Sequence, residues 1–460
     1  MKLSNIAKSD IIRLSVLFFP FCKDLIRFLL KSLYAFKLLI LIIIKDYTGL
    51  LNTYGKFLKH NMQPYKKLLN YDLLVLKTAE KLLQKKHIIF KNRIINFDKP
   101  KILILNSAIY DSGGHTEVSI RFIKAFKDEY SIDFYSTTFD DLSHNTAPVK
   151  SKVIKNLVSN YAELPKNTSI EHKITELYNY IIDTSVTTVC VNMNPADVVC
   201  CAVLGLLKKY TDINIVFWNN VSHCYSLGTE FADIILTRCK HGKSITPYLS
   251  GKINVQHIPF FGNNNKINTY SAEDLGALKQ NLNIPKDAFI TITGVQLYKV
   301  DKNYFKLISN ILEKHKNVYH VFVSKVSVDI KKNIKKLLKK NSDRFIITDP
   351  VTDFDKIIQM SELYIDSFPQ GSALILIDFI KYAKPVVIKI NEENHIKSFE
   401  SYLYDNYEYA CKTTDEMFEK ISRLITDKQE YGLIAQKTKE FYDKNYNTEN
   451  IKNQHRKLIK

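Results

Sequence analysis

"DSFPQGSALILIDFIKYAKPVVI" spans Asp366 to Ile388. Gly371-Ser372 opens a run with the periodicity of a helix. A Tyr-Ala-Lys-Pro break then leads into Val386-Val387-Ile388, a strand signature. Glycine lets a backbone approach a ligand closely, and serine is a capping residue. The N–H groups of Ser372, Ala373 and Leu374 are expected to be free donors at a positive helix end, an arrangement that suits phosphate. One carboxylate, Asp378, interrupts the apolar run roughly 9 Å along the axis from Ser372. A diphosphate on the helix start would place an attached ribose within its reach, with two sugar hydroxyls on one carboxylate. An i,i+3 pair with Lys381 on a half-exposed helix fits the same spacing.

Working outward, short apolar strands alternate with helical patterns. Strands are expected at Phe289–Thr293, Val318–Val323, Phe345–Thr348, Leu363–Asp366 and Val386–Ile390. An earlier set falls at Ile102–Asn106, Ile132–Ser136, Thr187–Val191, Ile213–Trp218 and Asp233–Leu236, with helices such as Thr116–Lys127 and Ile170–Ile182 between them. This texture implies an α/β chain with two doubly wound parallel sheets, joined at the polar stretch from Gly262, with ligands in the crevice beyond the strand ends. The expected units are a basic amphipathic helical extension (1–98), a first Rossmann-like domain (99–265), a second (266–435) and a closing helix (436–460).

The 460-residue chain carries a formal charge of +19, and residues 1–100 alone hold 19 Lys and Arg against 6 Asp and Glu. Lys23, Arg27 and Lys31 stack along one helical face beside a wide apolar one. That pattern suits a helix lying in an anionic membrane surface, and also a helix buried against the main domain with its lysines solvated. The membrane reading is preferred because Leu38–Ile44 is apolar all round and needs covering. No apolar run reaches the ~20 residues of a spanning helix. No groove-reading motif accompanies the charge, so nucleic acid is not an expected partner. Seven scattered cysteines without metal spacing read as reduced thiols of a cytoplasmic protein.

Three further stretches carry polar groups at strand ends. In "TGVQLYKVDKNYF" (293–305), Gly294 is expected to permit a tight turn, and Lys299 sits where it can neutralise a diphosphate leaving group, though in so lysine-rich a chain an ordinary surface lysine fits the position as well. In "YDSGGHTEV" (110–118), Gly113 and Gly114 could let the backbone approach a ligand, and His115 would then point into the crevice as base or donor, with an ordinary loop histidine fitting the same stretch. In "WNNVSHCYSLG" (218–228), Asn219, Asn220, Ser222 and His223 form a polar cluster, while Trp218 reads as core. No metal site is assigned.

Together these segments resemble a GT-B glycosyltransferase over about residues 100–460. Gln370 and Asp378 take the two acidic positions of that family's E-x7-E motif, Ala383 stands for its glycine, and Pro385-Val386-Val387 match. "QLYKVDKNYFKLISNIL" resembles the O-linked N-acetylglucosamine transferase branch, whose lysine contacts the donor diphosphate. "GGHTEV" and "NNVSHCYSLGTEFAD" resemble loops of bacterial transferases that carry histidines matching His115 and His223. The resemblance implies a metal-independent enzyme that moves a sugar from a UDP-sugar to a glycan, lipid-linked or protein acceptor. Asp378 would hold the ribose. Lys299, Gln370, Gly371, Ser372 and Ala373, with Gly113 and Gly114, would hold the donor, and His115 or His223 would serve the acceptor. A nucleotide-sugar epimerase or a non-catalytic nucleotide-sugar binder on the same scaffold is the alternative. Leu374 and Ile375 depart from the family, replacing polar residues that touch the phosphates.

Overall fold

The computed structural model describes residues 34, 37–38, 40–42, 44–60, 71–88, 100–111, 114–139, 148–220, 225–240, 242–243, 246–247, 254–262, 269–351, 353–390 and 403–459. The stripe of Lys23, Arg27 and Lys31 lies outside them, as do Gly113, Ser222 and His223.

Two helices, α1 (Tyr47–His60) and α2 (Tyr71–Lys85), precede the first sheet. That sheet is built from β1 (Lys101–Asn106), β2 (Ser131–Ser136), β3 (Asn160–Glu163), β4 (Thr188–Asn192), β5 (Asn214–Asn219), β6 (Ile234–Thr237) and β7 (Val255–His257). Helices α3 (Gly114–Phe126), α4 (Pro148–Lys155), α5 (Ile170–Asp183) and α6 (Val198–Tyr210) connect them. The strand order is β3-β2-β1-β4-β5-β6-β7, and every pairing is parallel. Parallel neighbours need crossover helices on both faces, so central strands are covered twice and read as unbroken apolar runs. Accordingly, β4 and β5 are buried throughout.

After α7 (Ala272–Asn281) the pattern repeats with β8 (Phe289–Gly294), α8 (Lys302–Lys314), β9 (Val318–Val323), α9 (Val328–Leu338), β10 (Phe345–Thr348), α10 (Phe354–Met360) and β11 (Leu363–Ile365). It continues through α11 (Ala373–Lys381), β12 (Val386–Lys389), β13 (Ala410–Cys411) and α12 (Thr414–Thr426). The order is β10-β9-β8-β11-β12-β13, again all parallel. The expected arrangement of two doubly wound α/β sheets is therefore found. In each sheet the order reverses beside the first strand, at β1/β4 and at β8/β11, and ligands of open α/β sheets bind outside such points. The loops after β1, β8 and β11, singled out in the sequence, follow strands at these points, and the fourth stretch follows β5.

The C-terminus ties the halves together. Helix α13 (Lys428–Asn445) packs over α11, and α14 (Thr448–Arg456) returns to the first domain beside α3. There His455 stacks on Phe261 with ring centroids 5.4 Å apart, Arg456 grips Glu129 at 2.9 Å, and Asn214 Nδ2 donates to the Leu458 carbonyl at 2.7 Å.

The described part of the extension is packed, not free. Leu50, Leu51, Val75, Ala79 and Leu83 share one core with α5 and α6. Asp72 is buried there, accepting from the Gly228 N–H, the Tyr225 hydroxyl and, at 3.4 Å, the Cys201 thiol. Just upstream, Ile40, Ile42 and Ile44 are exposed. Among the described residues no helix is long and apolar enough to cross a membrane.

Ala383 follows α11 at φ +54°, the left-handed conformation that glycine adopts without penalty. For alanine that backbone costs about 1–2 kcal/mol, and glycine's extra unfolded-state freedom offsets part of the difference. Ala383→Gly is expected to stabilise the protein by about 0.5–1 kcal/mol, measurable as a higher urea midpoint at unchanged slope.

Candidate functional site

Asp366 organises the second domain's half of the site. It is buried one residue past β11, and its Oδ1 accepts from the Tyr364 hydroxyl at 3.0 Å, the Ser367 N–H at 2.9 Å and the Ser372 N–H at 3.0 Å. These bonds gather residues 366–372 into a loop whose end starts α11. A second loop is fastened to it. Lys299, in a short 3-10 turn (Leu297–Lys299) after β8, donates from Nζ to the Gly371 carbonyl at 3.1 Å. The Gln370 N–H donates to the Lys299 carbonyl at 3.3 Å, and Val300 bridges Pro369. An ammonium is thereby fixed at the start of a helix, where the dipole already favours an anion.

Three local expectations need correction. Ser372 occupies the N-cap position, but its hydroxyl bonds the Gly294 carbonyl at 3.4 Å instead of capping the helix. The Ser372 N–H is spent on Asp366, which leaves Ala373 and Leu374 to present the first-turn N–H groups. Gly294 is the last residue of β8 and makes no left-handed turn; it is small because a Cβ there would stand 2.8 Å from Ile375 Cδ1.

Burial pushes the Asp366 carboxyl up to about 7, against the pull of its hydrogen bonds and Lys299. Burial also lowers the Lys299 ammonium, with Asp366 opposing. A folded-state value above the unfolded one means that the native state holds the extra proton. The resulting stability is fully present below about pH 4 and is lost as the pH rises through about 7. Asp366→Asn should flatten that part of the stability–pH curve, as read by urea unfolding between pH 4 and 8.

Asp378 sits on α11 with its side chain 9% exposed, and its carboxylate is taken from across the crevice. Arg121 of α3 grips it with both ends of the guanidinium, Nη1 to Oδ1 at 3.0 Å and Nη2 to Oδ2 at 2.6 Å. Arg121 also donates from Nη1 to the Phe261 carbonyl at 3.2 Å and from Nε to Glu117 at 3.3 Å. Burial works against the Arg121 charge, but Asp378 and Glu117 outweigh it and raise its pKa above the ordinary value. Burial likewise pushes Glu117 up, and Arg121 with Lys150 overcomes this and holds it at about 2.

The first domain contributes the turn into α3. A Cβ on Gly114 would lie 3.2 Å from Leu374 Cδ1, so this turn meets the start of α11 directly. His115 is half-buried, its ring edge-on to Tyr110 at 6.0 Å, and burial lowers it to about 4, which leaves a neutral imidazole at pH 7. Its carbonyl accepts from Asn192 Nδ2 at 2.9 Å. Asn192 Oδ1 accepts from Asn220 at 2.8 Å, and Asn220 Oδ1 from Arg238 at 3.4 Å. This amide chain crosses the carboxyl ends of β4, β5 and β6. Trp218 is core, as expected, against Phe122.

Of the residues chosen from the sequence, Lys299, Gln370, Gly371, Ser372 and Ala373 converge on one loop–helix junction, which Gly114 reaches from the other domain. Asp378 lies two turns further along the same helix. Gly113 and His223 fall outside the described residues. Sequence reasoning missed Arg121 and Asp366. Each had a faint signal: Arg121 is a charge among Val118, Ile120, Phe122 and Ile123, and Asp366 closes an apolar strand.

No protein-family model matches the chain, and no curated protein matches it in sequence. Solved structures match it in shape. Anabaena HepE, in complex with UDP and glucose, aligns at a TM-score of 0.61 and 14% identity, over 78% of this chain and 99% of its own. A mutant O-GlcNAc transferase of Thermobaculum terrenum aligns at 0.55 and 10% identity, over 89% of this chain and 77% of its own. The UDP-GlcNAc 2-epimerase of Neisseria meningitidis, bound to UDP-GlcNAc, aligns at 0.52 and 13% identity, over 78% and 99%.

Proposed function

We propose, from the GT-B fold that the chain shares with these proteins, that it is a glycosyltransferase moving a sugar from a UDP-sugar to an acceptor hydroxyl. The observation that carries this reading is Lys299 fixed on the Gly371 carbonyl at the start of the helix that bears Asp378. Nζ and the first-turn N–H groups form one cationic end for a diphosphate, and a carboxylate follows at the distance of a ribose. In the reaction, the bond between sugar C1 and the diphosphate oxygen breaks, and the acceptor oxygen bonds to C1. The electron pair left on UDP is neutralised by Lys299 and the helix end. The acceptor proton passes to an imidazole, His115 or His223. His115, neutral at pH 7, has a ring nitrogen free to accept it. Gln370 and the Gly113–Gly114 turn would border the donor.

No step in this scheme calls on a metal, so turnover should survive EDTA. The acceptor is a glycan, a lipid-linked glycan or a protein. The basic N-terminal segment and the exposed Ile40, Ile42 and Ile44 favour attachment to an anionic membrane surface from the cytoplasmic side, with a role in polysaccharide assembly.

The shared epimerase fold supports a second reading, an enzyme that acts on the nucleotide sugar alone. The Arg121 grip on Asp378 and the apolar Leu374 and Ile375 support a third, a binder without turnover. Incubation with a panel of UDP-sugars separates them. Acceptor-dependent UDP release supports transfer, a changed sugar without acceptor supports the epimerase, and binding without either product supports the third.

A further inference from the structure

The guanidinium of Arg121 occupies Asp378 in the way a ribose diol would. Both present two parallel donors to the two oxygens of one carboxylate, here at 3.0 and 2.6 Å. The pair is nearly dry, with side chains 6% and 9% exposed. Beside it, Arg121, Phe261 and Leu374 help line a cavity of only about 10 Å³, room for about one water. Leu374, at the start of α11, is the one residue of the second domain in its lining, beside Val118, Phe122, Arg238 and Phe260 of the first. With both carboxylate oxygens taken by Arg121, a ribose diol reaches Asp378 only if the guanidinium leaves it.

The displaced guanidinium keeps Glu117 as its counterion, but its two Nη groups lose both carboxylate oxygens. Nε remains on Glu117, and Nη1 has only the Phe261 carbonyl. The anion that arrives with the ribose is the diphosphate, and a guanidinium fork matches phosphate oxygens as well as it matches a carboxylate. We propose that Arg121 is a donor-binding residue that exchanges partners, holding Asp378 and the crevice shut without donor and turning to the diphosphate when the ribose takes Asp378. This rests on the donor-site reading above. It adds a binding group from the first domain and couples donor arrival to re-closure of the crevice.

The test compares uridine, which has the ribose alone, with UDP, by ligand-observed NMR and calorimetry on wild type and Arg121→Gln. Exchange predicts opposite contributions. Uridine no longer has to displace the guanidinium and binds about tenfold more tightly, whereas UDP loses a phosphate contact as it gains an open site and changes by less than about threefold. The ligand-free variant should also show a larger radius of gyration in X-ray scattering. If uridine and UDP shift by the same factor, or neither shifts, the exchange is wrong while UDP binding by wild type keeps the donor reading intact. If neither protein binds UDP, the donor reading fails and takes this proposal with it. An unchanged radius overturns the closing role. Should Arg121→Gln fail to fold, Arg121→Lys keeps the charge and loses the fork, and the same opposite trend is expected at reduced size.

Discussion

Asp378→Ala is expected to lower the stability of the protein by about 1.5–3 kcal/mol, because Arg121 loses two charge-assisted hydrogen bonds and keeps Glu117 as its counterion. Arg121, 6% exposed, would keep only Glu117 and a carbonyl. Urea unfolding of the single variants and of the double variant Arg121→Met with Asp378→Leu measures the effect. Replacing both charges with apolar groups of similar volume removes the pair and leaves Glu117 with Lys150, so the double variant should be no less stable than Asp378→Ala. The same Asp378→Ala protein, where folded, should bind UDP about tenfold to a hundredfold more weakly, the loss expected for a charge-assisted hydrogen bond or two. An alanine variant with full stability would mean that the crevice is not held at this point. Full UDP affinity would remove Asp378 from the ribose.

Lys299→Met is expected to weaken UDP binding by about tenfold to a hundredfold while changing uridine binding little, since the ammonium addresses the phosphates. Its effect on folding should be smaller than that of Asp378→Ala. Lys299 is half-buried and bonds one carbonyl, and methionine keeps the stem that packs along the turn. The loss should also shrink with added salt less than surface charges do, because the site is partly shielded from solvent. Parallel titrations of UDP and uridine at low and high salt check both statements. Equal weakening of the two ligands would mean that the substitution disturbed the loop instead of removing a phosphate contact.

Much of the scaffold was legible because parallel strands buried on both faces leave apolar runs. Val318–Val323 and Phe345–Thr348 coincide with β9 and β10, and most other central strands agree within a residue or two. The strands that escaped, β3, β7 and β13, are short and stand at or near sheet edges. In β3 the outer residues are exposed, so nothing in its composition marks a strand. Lys299 and the 370–373 junction were legible from local spacing and resemblance, and the contact between them spans 72 residues that no local pattern reports. The Arg121–Asp378 pair spans 257 residues and two domains. The sequence offered two partners for Asp378, a ribose and Lys381, and the structure supplies Arg121. Ser372 shows the same limit on a small scale: its type favours a cap, but the nearby Gly294 carbonyl takes its hydroxyl.

The α2 helix teaches a related point. Its amphipathic pattern fits a membrane surface or a core face, and only the neighbours decide. Here Asp72, a carboxylate within an apolar helix face, finds Gly228, Tyr225 and Cys201 and fixes α2 to the first domain.

The most direct test of the central claim is a calorimetric titration of the full chain with UDP in the presence of EDTA. One saturable site per chain is expected, with GDP binding more weakly and EDTA without effect. A protein shown to be folded by its cooperative urea transition that gives no binding heat with UDP, GDP or any UDP-sugar, and no shift in its unfolding midpoint with them, would contradict it.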